Sequence, residues 1–275
     1  RPEGRVTEVL GKRFDISTEE LSVVRNLSIP YEFTKDVLRE TDKIPDKVRQ
    51  EDIIGREDFR DVYTITIDGD DSRDFDDAIS IKKNGDKFTL GVHIADVSHY
   101  VKEGSNIDKE AFERGNSVYF PDSVIPMLPE KLSNGICSLN EGVDRLTLSC
   151  VMEIDSSGNV VDKRIAKSVI NSNRRMTYKK VQAILDGDEK VKSEYSDVVP
   201  LVLNAKELRD ILNAKRKARG SVNLDVKDAH ITINGCGEID MEPSREEVSY
   251  SIIEEFMLAA NETVAEYVFY LDLPF

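Results

Sequence analysis

Six carboxylates fall within ten residues, at Asp68, Asp70, Asp71, Asp74, Asp76 and Asp77, directly after an aromatic and β-branched run at 62–67. A turn that follows a buried strand cannot spread this charge, so the cluster requires a compensating cation. Carboxylate oxygens are hard ligands suited to magnesium or manganese. Two such ions about 4 Å apart activate a water and stabilise the leaving oxygen in phosphodiester cleavage. A calcium EF-hand does not fit, because loops begun at Asp68, Asp70 or Asp71 lack both the sixth-position Gly and the twelfth-position Glu. Zinc does not fit either, since His93, His99 and His230 stand at no ligand spacing with Cys137, Cys150 or Cys236.

The elements that must position this cluster alternate like strands. Runs at 62–67, 78–81, 88–94 and 96–101 predict a meander with Asn84-Gly85 as a hairpin turn, and 146–154 with 160–169 predict a further pair around Asp155-Ser-Ser-Gly158. Helical spacing takes over at 178–185 and 200–217. A Ser244-x-x-Glu247 capping box predicts a last helix reaching about Tyr270. Strands first and helices later give an α+β fold, a mostly antiparallel sheet flanked by helices. Residues 4–11 alternate like a short strand, and Pro30 and Pro45 punctuate a charged stretch read as a linker with one short helix.

Composition narrows the setting. The net charge of −15 argues against nucleic-acid binding through bulk electrostatics. No apolar run approaches the roughly 20 residues of a membrane span, and no secretion signal leads the chain, so the reading is a soluble, cytoplasmic protein with no membrane partner. Three widely spaced cysteines supply neither a complete disulfide framework nor a zinc half-site. Two other readings of the acidic run stay open at this point. One is a solvated surface turn. The other is the Asp-x-Asp motif of haloacid-dehalogenase-like phosphatases, with Asp68 as nucleophile and Asp70 as acid. Against the latter, Ser72 stands where that family usually has Thr or Val, and the following strands read as a meander.

Read as Asp-x5-Asp-x-Asp-Asp-Ala, residues 68–78 resemble the catalytic motif of the ribonuclease II/R (RNB) exoribonuclease family. Further blocks follow in the family's order at 91–98, 114–121, 126–129, 132–139, 219–221 and 253–261, and 115–121 (Gly-Asn-Ser-Val-Tyr-Phe-Pro) leans towards the R branch. The resemblance implies residues 55–275 as the N-terminal part of an RNB catalytic domain. Residues 1–20 would be the remnant of a preceding cold-shock-like OB domain, and 21–54 the linker. It also implies that the family's Ser-Pro-Ile-Arg-Arg segment and S1 domain are missing, so that these residues alone are weak or inactive, and that the missing modules carry much of the RNA-binding surface.

The implied activity is magnesium-dependent (manganese possible), hydrolytic and 3′-to-5′, releasing nucleoside 5′-monophosphates from single-stranded RNA, by a monomer. Asp68, Asp74, Asp76 and Asp77 match the family's active-site and metal-holding aspartates, with Asp76 the most sensitive to substitution. Tyr119 and Tyr178 match aromatics that hold the RNA 3′ end, and either Glu254 or Glu255 a glutamate that contacts the last ribose. Arg174, Arg175, Lys179, Lys180 and the cations at 215–219 are candidate phosphate contacts or solvated helix faces. The alternative class is a non-catalytic RNA-binding or scaffold module.

Overall fold

The computed structural model describes residues 3–13, 15–121, 123–222, 229–233, 239–243 and 247–274, the two short strands at 229–233 and 239–243 by backbone alone. The chain opens with α1 (Ile16–Asn26), α2 (Lys35–Asp42) and α3 (Gln50–Ile53), then β1 (Glu57–Asp58), β2 (Ile65–Asp68), β3 (Asp77–Asn84) and β4 (Lys87–Ala95). Next come α4 (Asn106–Arg114), β5 (Val118–Tyr119), β6 (Val124–Ile125), β7 (Asp144–Ile154), β8 (Val160–Asn171) and β9 (Arg174–Thr177). The last elements are α5 (Tyr178–Asp186), α6 (Glu189–Glu194), α7 (Val199–Ala218), β10 (Ala229–Ile233), β11 (Ile239–Pro243) and α8 (Val248–Tyr270).

Residues 1–44, 101–130 and 227–244 form one compact unit, and 45–100, 131–226 and 245–275 the other. In the smaller unit the Thr34 hydroxyl caps α2 by accepting from the Val37 amide, and donates to Glu110 on α4 at 3.1 Å. Arg114 holds the same segment from α4, donating to the Pro30 carbonyl at 2.9 Å with its guanidinium 3.9 Å from the Phe33 ring centroid. The sequence reading is corrected here in two places. Residues 4–11 carry strand-like alternation but form no strand, and a lone extended run has no ladder to join. The stretch 21–54 holds the end of α1, all of α2 and α3, because capped turns with buried Val37 and Thr41 fold where charge density suggested a linker.

The larger unit is built on a seven-stranded sheet in the order β1-β8-β7-β4-β3-β2-β9, antiparallel except where β1 and β9 pair in parallel at its two edges. The β3–β4 loop is Gly85 and Asp86, with Asn84 paired to Lys87. This lies one residue beyond the predicted turn and puts Gly85, at φ +65°, where a II′ turn requires glycine. The strand expected at 96–101 stops at Ala95. Asp96 is drawn into a buried ion pair with Arg56 at 2.6 Å and accepts from the Ser98 hydroxyl at 2.8 Å, so the chain coils into a short helical turn at Val97–His99 instead.

Helices cover one face of this sheet. Ile79, Ile81, Leu90, Val92 and Met152 pack with Val181 and Ile184 of α5, Leu201 and Leu208 of α7, and Ile252 and Phe256 of α8. The other face buries a polar network, with His93 sharing hydrogen bonds with Ser80 at 3.1 Å and Ser149 at 2.6 Å. The N-cap of α8 is Glu247 without a side-chain bond, while Ser244 of the expected capping box lies outside the described residues. Among those residues no helix is long and apolar enough to cross a membrane.

Candidate active site

Strand register brings the acidic residues to one end of the sheet. Ile65 pairs with Ile79 across β2 and β3, which places Ile67 opposite Asp77, and the parallel register of β2 with β9 sets Asp68 beside Thr177. Asp68 therefore ends one strand, Asp77 begins its neighbour, and Tyr178 opens α5 just past the third. The connecting loop is pinned from outside. The Phe75 amide donates to the Ser138 hydroxyl at 3.0 Å, that hydroxyl donates to the Arg73 carbonyl at 3.1 Å, and the Leu139 amide donates to the Phe75 carbonyl at 2.8 Å. From β9, Arg175 donates to the carbonyls of Asp70 and Ser72 at 2.9 and 3.0 Å, its guanidinium 4.8 Å from the Phe75 ring centroid.

The carboxylates are not equivalent. Asp70 pairs with Lys179 at 2.6 Å, which holds it below the ordinary carboxylate range. Asp68 is pushed up to about 7, first by burial and then by the charges of Asp77, Asp74 and Asp76. Asp77 is raised to about 6 by burial and by Asp76, and Asp76 is raised by burial and by Asp74. The four aspartates singled out from the sequence thus share one field, which the charge of Arg175 offsets only in part at Asp68. The buried Oδ2 of Asp68 has no hydrogen-bond partner. An orphaned carboxylate oxygen among mutually repelling carboxylates suits a divalent cation. Among the described residues no three His, Cys, Asp or Glu side chains converge as a closed ligand set.

Around the cluster the other expected residues separate. Tyr178 stacks on Tyr250 of α8 with ring centroids 4.0 Å apart and planes 17° apart, and burial beside Asp77 and Asp68 pushes its hydroxyl to about 12. Tyr250 was not foreseen, because an aromatic near a helix start carries no local sign of its partner. Glu255 is only 3% exposed and accepts from Asn213 at 2.8 Å and twice from Arg216, so it anchors α8 to α7. It lines a cavity of about 450 Å³ with Asn159, Lys215, Arg219 and Glu262. Glu254 has a side chain 57% exposed and lies one helical turn from Tyr250, on the same face. Tyr119 is exposed in the smaller unit, at the end of the β5–β6 ribbon.

The candidate phosphate contacts are mostly engaged within the fold. Arg174 pairs with Asp197 and Glu141, Lys180 bonds the Tyr195 hydroxyl, Lys215 the Gly158 carbonyl, and Arg219 pairs with Glu262. Ser138 and Arg145 are structural members that the sequence did not mark. Buried Arg145 donates to the Ser138 carbonyl at 2.7 Å and so supports the residue that pins the acidic loop.

A mixed, mostly antiparallel sheet thus presents Asp68 and Asp77 at the ends of adjacent strands. Residues 56–275 match the RNB domain, and the chain belongs to that family. It is 49% identical over its whole length to ribonuclease R of Thermotoga maritima, of which it covers 39%, and 46% identical over 99% of its length to ribonuclease R 1 of Lactococcus lactis, of which it covers 34%. The structure superposes on Mycoplasma genitalium RNase R in complex with double-stranded RNA with a TM-score of 0.89 at 30% identity, covering 97% of this chain and 47% of that one. The chain thus spans less than half the length of these relatives.

Proposed function

We propose that this chain forms part of the catalytic domain of a magnesium-dependent 3′-to-5′ exoribonuclease that hydrolyses single-stranded RNA to nucleoside 5′-monophosphates. The observation that carries this reading is the only partly compensated carboxylate cluster around the unpartnered Asp68 oxygen. Asp68, Asp74, Asp76 and Asp77 would hold the cation, magnesium with manganese as a substitute. When bound, it supplies the positive charge that lets these groups ionise together and that polarises a phosphoryl oxygen and a water. The loop contacts of Ser138 and Arg175 keep the carboxylates from relaxing outward. Tyr178, stacked on Tyr250, offers a flat wall to the terminal base, and stacking tolerates any base, as a general degrader requires. Glu254, exposed one turn from Tyr250, accepts a hydrogen bond from the last ribose's hydroxyl in preference to the buried Glu255.

The wider assignments follow from the same reading. Residues 1–20 are the tail of a preceding OB-like domain, 21–54 lead into the catalytic part, and exposed Tyr119 stacks on a base near the RNA 3′ end. The protein acts as a cytoplasmic monomer. The buried free thiols of Cys137 and Cys150 accord with a reducing compartment.

The test follows single-stranded RNA labelled at its 5′ end, with and without magnesium. Stepwise shortening with release of 5′-mononucleotides, abolished by chelation, is expected. Asp76→Asn should lower turnover by about a thousandfold or more while RNA affinity stays within about threefold. Internal cleavage, or full activity in chelator, rejects the proposal. Because these residues alone are expected to be weak or inactive, the assay uses the chain with its C-terminal continuation restored, and RNA that is bound but left intact there under all metal conditions supports the scaffold reading.

A further inference from the structure

Deeply buried guanidinium groups in this fold are not all held in the same way. Arg56 and Arg114 each pair with a carboxylate, Asp96 at 2.6 Å and Glu110 at 2.7 Å. Arg145, on β7 and 8% exposed, pairs with none among the described residues. It gives its donors to three backbone carbonyls instead, Ser138 at 2.7 Å, Asp144 at 2.9 Å and Gly135 at 3.1 Å. A buried cation held only by neutral oxygens is costly to desolvate, and what it secures is the chain around it. Gly135 is where the helical turn at Lys131–Ile136 breaks, and Ser138 is the residue whose hydroxyl holds the Phe75 amide and the Arg73 carbonyl. Arg145 therefore fastens both ends of the segment 135–138 against which the acidic loop rests.

The loop itself is gripped by its backbone. The carbonyls of Asp70 and Ser72 accept from Arg175, that of Arg73 from Ser138, that of Phe75 from the Leu139 amide, and that of Asp76 from the Ala95 amide at 2.9 Å. These carbonyls are committed to donors outside the loop, so what the loop offers a cation is its carboxylate oxygens. Calcium takes about six to eight oxygens at roughly 2.3–2.6 Å in flexible geometry, often with backbone carbonyls among them. Magnesium demands a near-ideal octahedron at about 2.0–2.1 Å, keeps several waters and needs only one or two carboxylates. A loop with committed carbonyls and a fixed path suits the smaller ion. We propose that Arg145 is a positioning residue that sets the preference of the carboxylate site for magnesium over calcium. It holds 135–138 in place, and Ser138 and Leu139 in turn keep the loop from opening to the wider calcium geometry. The proposal rests on the carboxylate cluster being a metal site.

The experiment titrates the protein calorimetrically with magnesium alone and with calcium alone, without RNA. Magnesium should bind more tightly than calcium, and Asp76→Asn should weaken both. Arg145→Met should raise the magnesium Kd about tenfold and leave the calcium Kd within about threefold, the low end of what removing support behind metal ligands costs. Ser138→Ala removes the next link with less loss of packing and should move the two constants in the same way, so it decides the matter if Arg145→Met does not fold. Leu208→Ala opens a cavity in the helix-covered core and lowers stability by another route, and it should leave the ratio of the two constants unchanged. Hydrogen exchange at the Phe75 amide, followed without metal, should quicken about tenfold or more in Arg145→Met. Equal weakening of both ions, an unchanged ratio, or the same shift in Leu208→Ala overturns the proposal, and so does an unaltered Phe75 amide. If the unsubstituted protein binds neither ion, the metal-site reading of the cluster fails and takes the proposal with it. Magnesium binding that is lost in Asp76→Asn but indifferent to Arg145 and Ser138 sinks the proposal alone.

Discussion

Asp68 and Asp77 hold protons that a cation must displace. With values near 7 and 6 they are partly protonated around neutrality, so divalent affinity should climb as pH rises from 5.5 to 7.5. Both groups sit above their unfolded values. Their protonated forms therefore favour the fold at low pH, and that advantage fades as pH rises from about 4 towards 7. Magnesium removes the resulting repulsion, so the gain in melting temperature on adding it should be larger at pH 7.5 than at 5.5. An equal gain at both would mean that these carboxylates do not hold the ion. The acidic run was legible in the sequence because it is contiguous and follows a strong strand signal, whereas Tyr178 was named only through the family resemblance. The choice between Glu254 and Glu255 was not legible, since adjacent residues on a helix differ by about 100° and only the position of α7 shows which one is buried.

Among the elements, α5 and α8 meet through the Tyr178–Tyr250 stack, whose two residues are 72 positions apart in sequence. Offset aromatic pairs contribute about 0.5–1.5 kcal/mol beyond their area. A double-mutant cycle with Tyr178→Leu and Tyr250→Leu, read by urea unfolding, should return a coupling of about 1 kcal/mol, and additive losses would show that the rings do not support each other. The first three strands of the meander and the β7–β8 pair could be read from alternation, as could α5 and α7 from helical spacing. The parallel joining of β9 to β2 could not, because a four-residue strand carries no trace of which distant edge it will pair with. The strand expected at 96–101 failed for a related reason. Alternation cannot register that Arg56, 40 residues earlier, captures Asp96.

For the molecule as a whole, the sheet faces differ in how they respond to acid. His93 lies in the polar layer opposite the helices, and burial lowers it to about 4, so it stays neutral in the fold while the unfolded chain takes a proton below about 6.5. The fold should lose about 3 kcal/mol through this one residue as pH falls from about 6.5 to about 4. Asp68 and Asp77 act in the opposite sense over the same window. The difference between wild type and His93→Asn in urea unfolding at pH 4.5 and 7 isolates the histidine. Equal pH dependence in the two proteins would refute the assignment.

The order of elements along the chain has a kinetic consequence. Strands β1 to β9 are complete by Thr177, yet the face they present is sealed only when α8 arrives at Val248–Tyr270, about 70 residues later. At roughly 5–20 residues per second a ribosome takes about 4–14 s to cover that interval. For those seconds Ile79, Leu90 and Met152 belong to a half-roofed nascent sheet, the period in which chaperone capture and misassembly compete with folding.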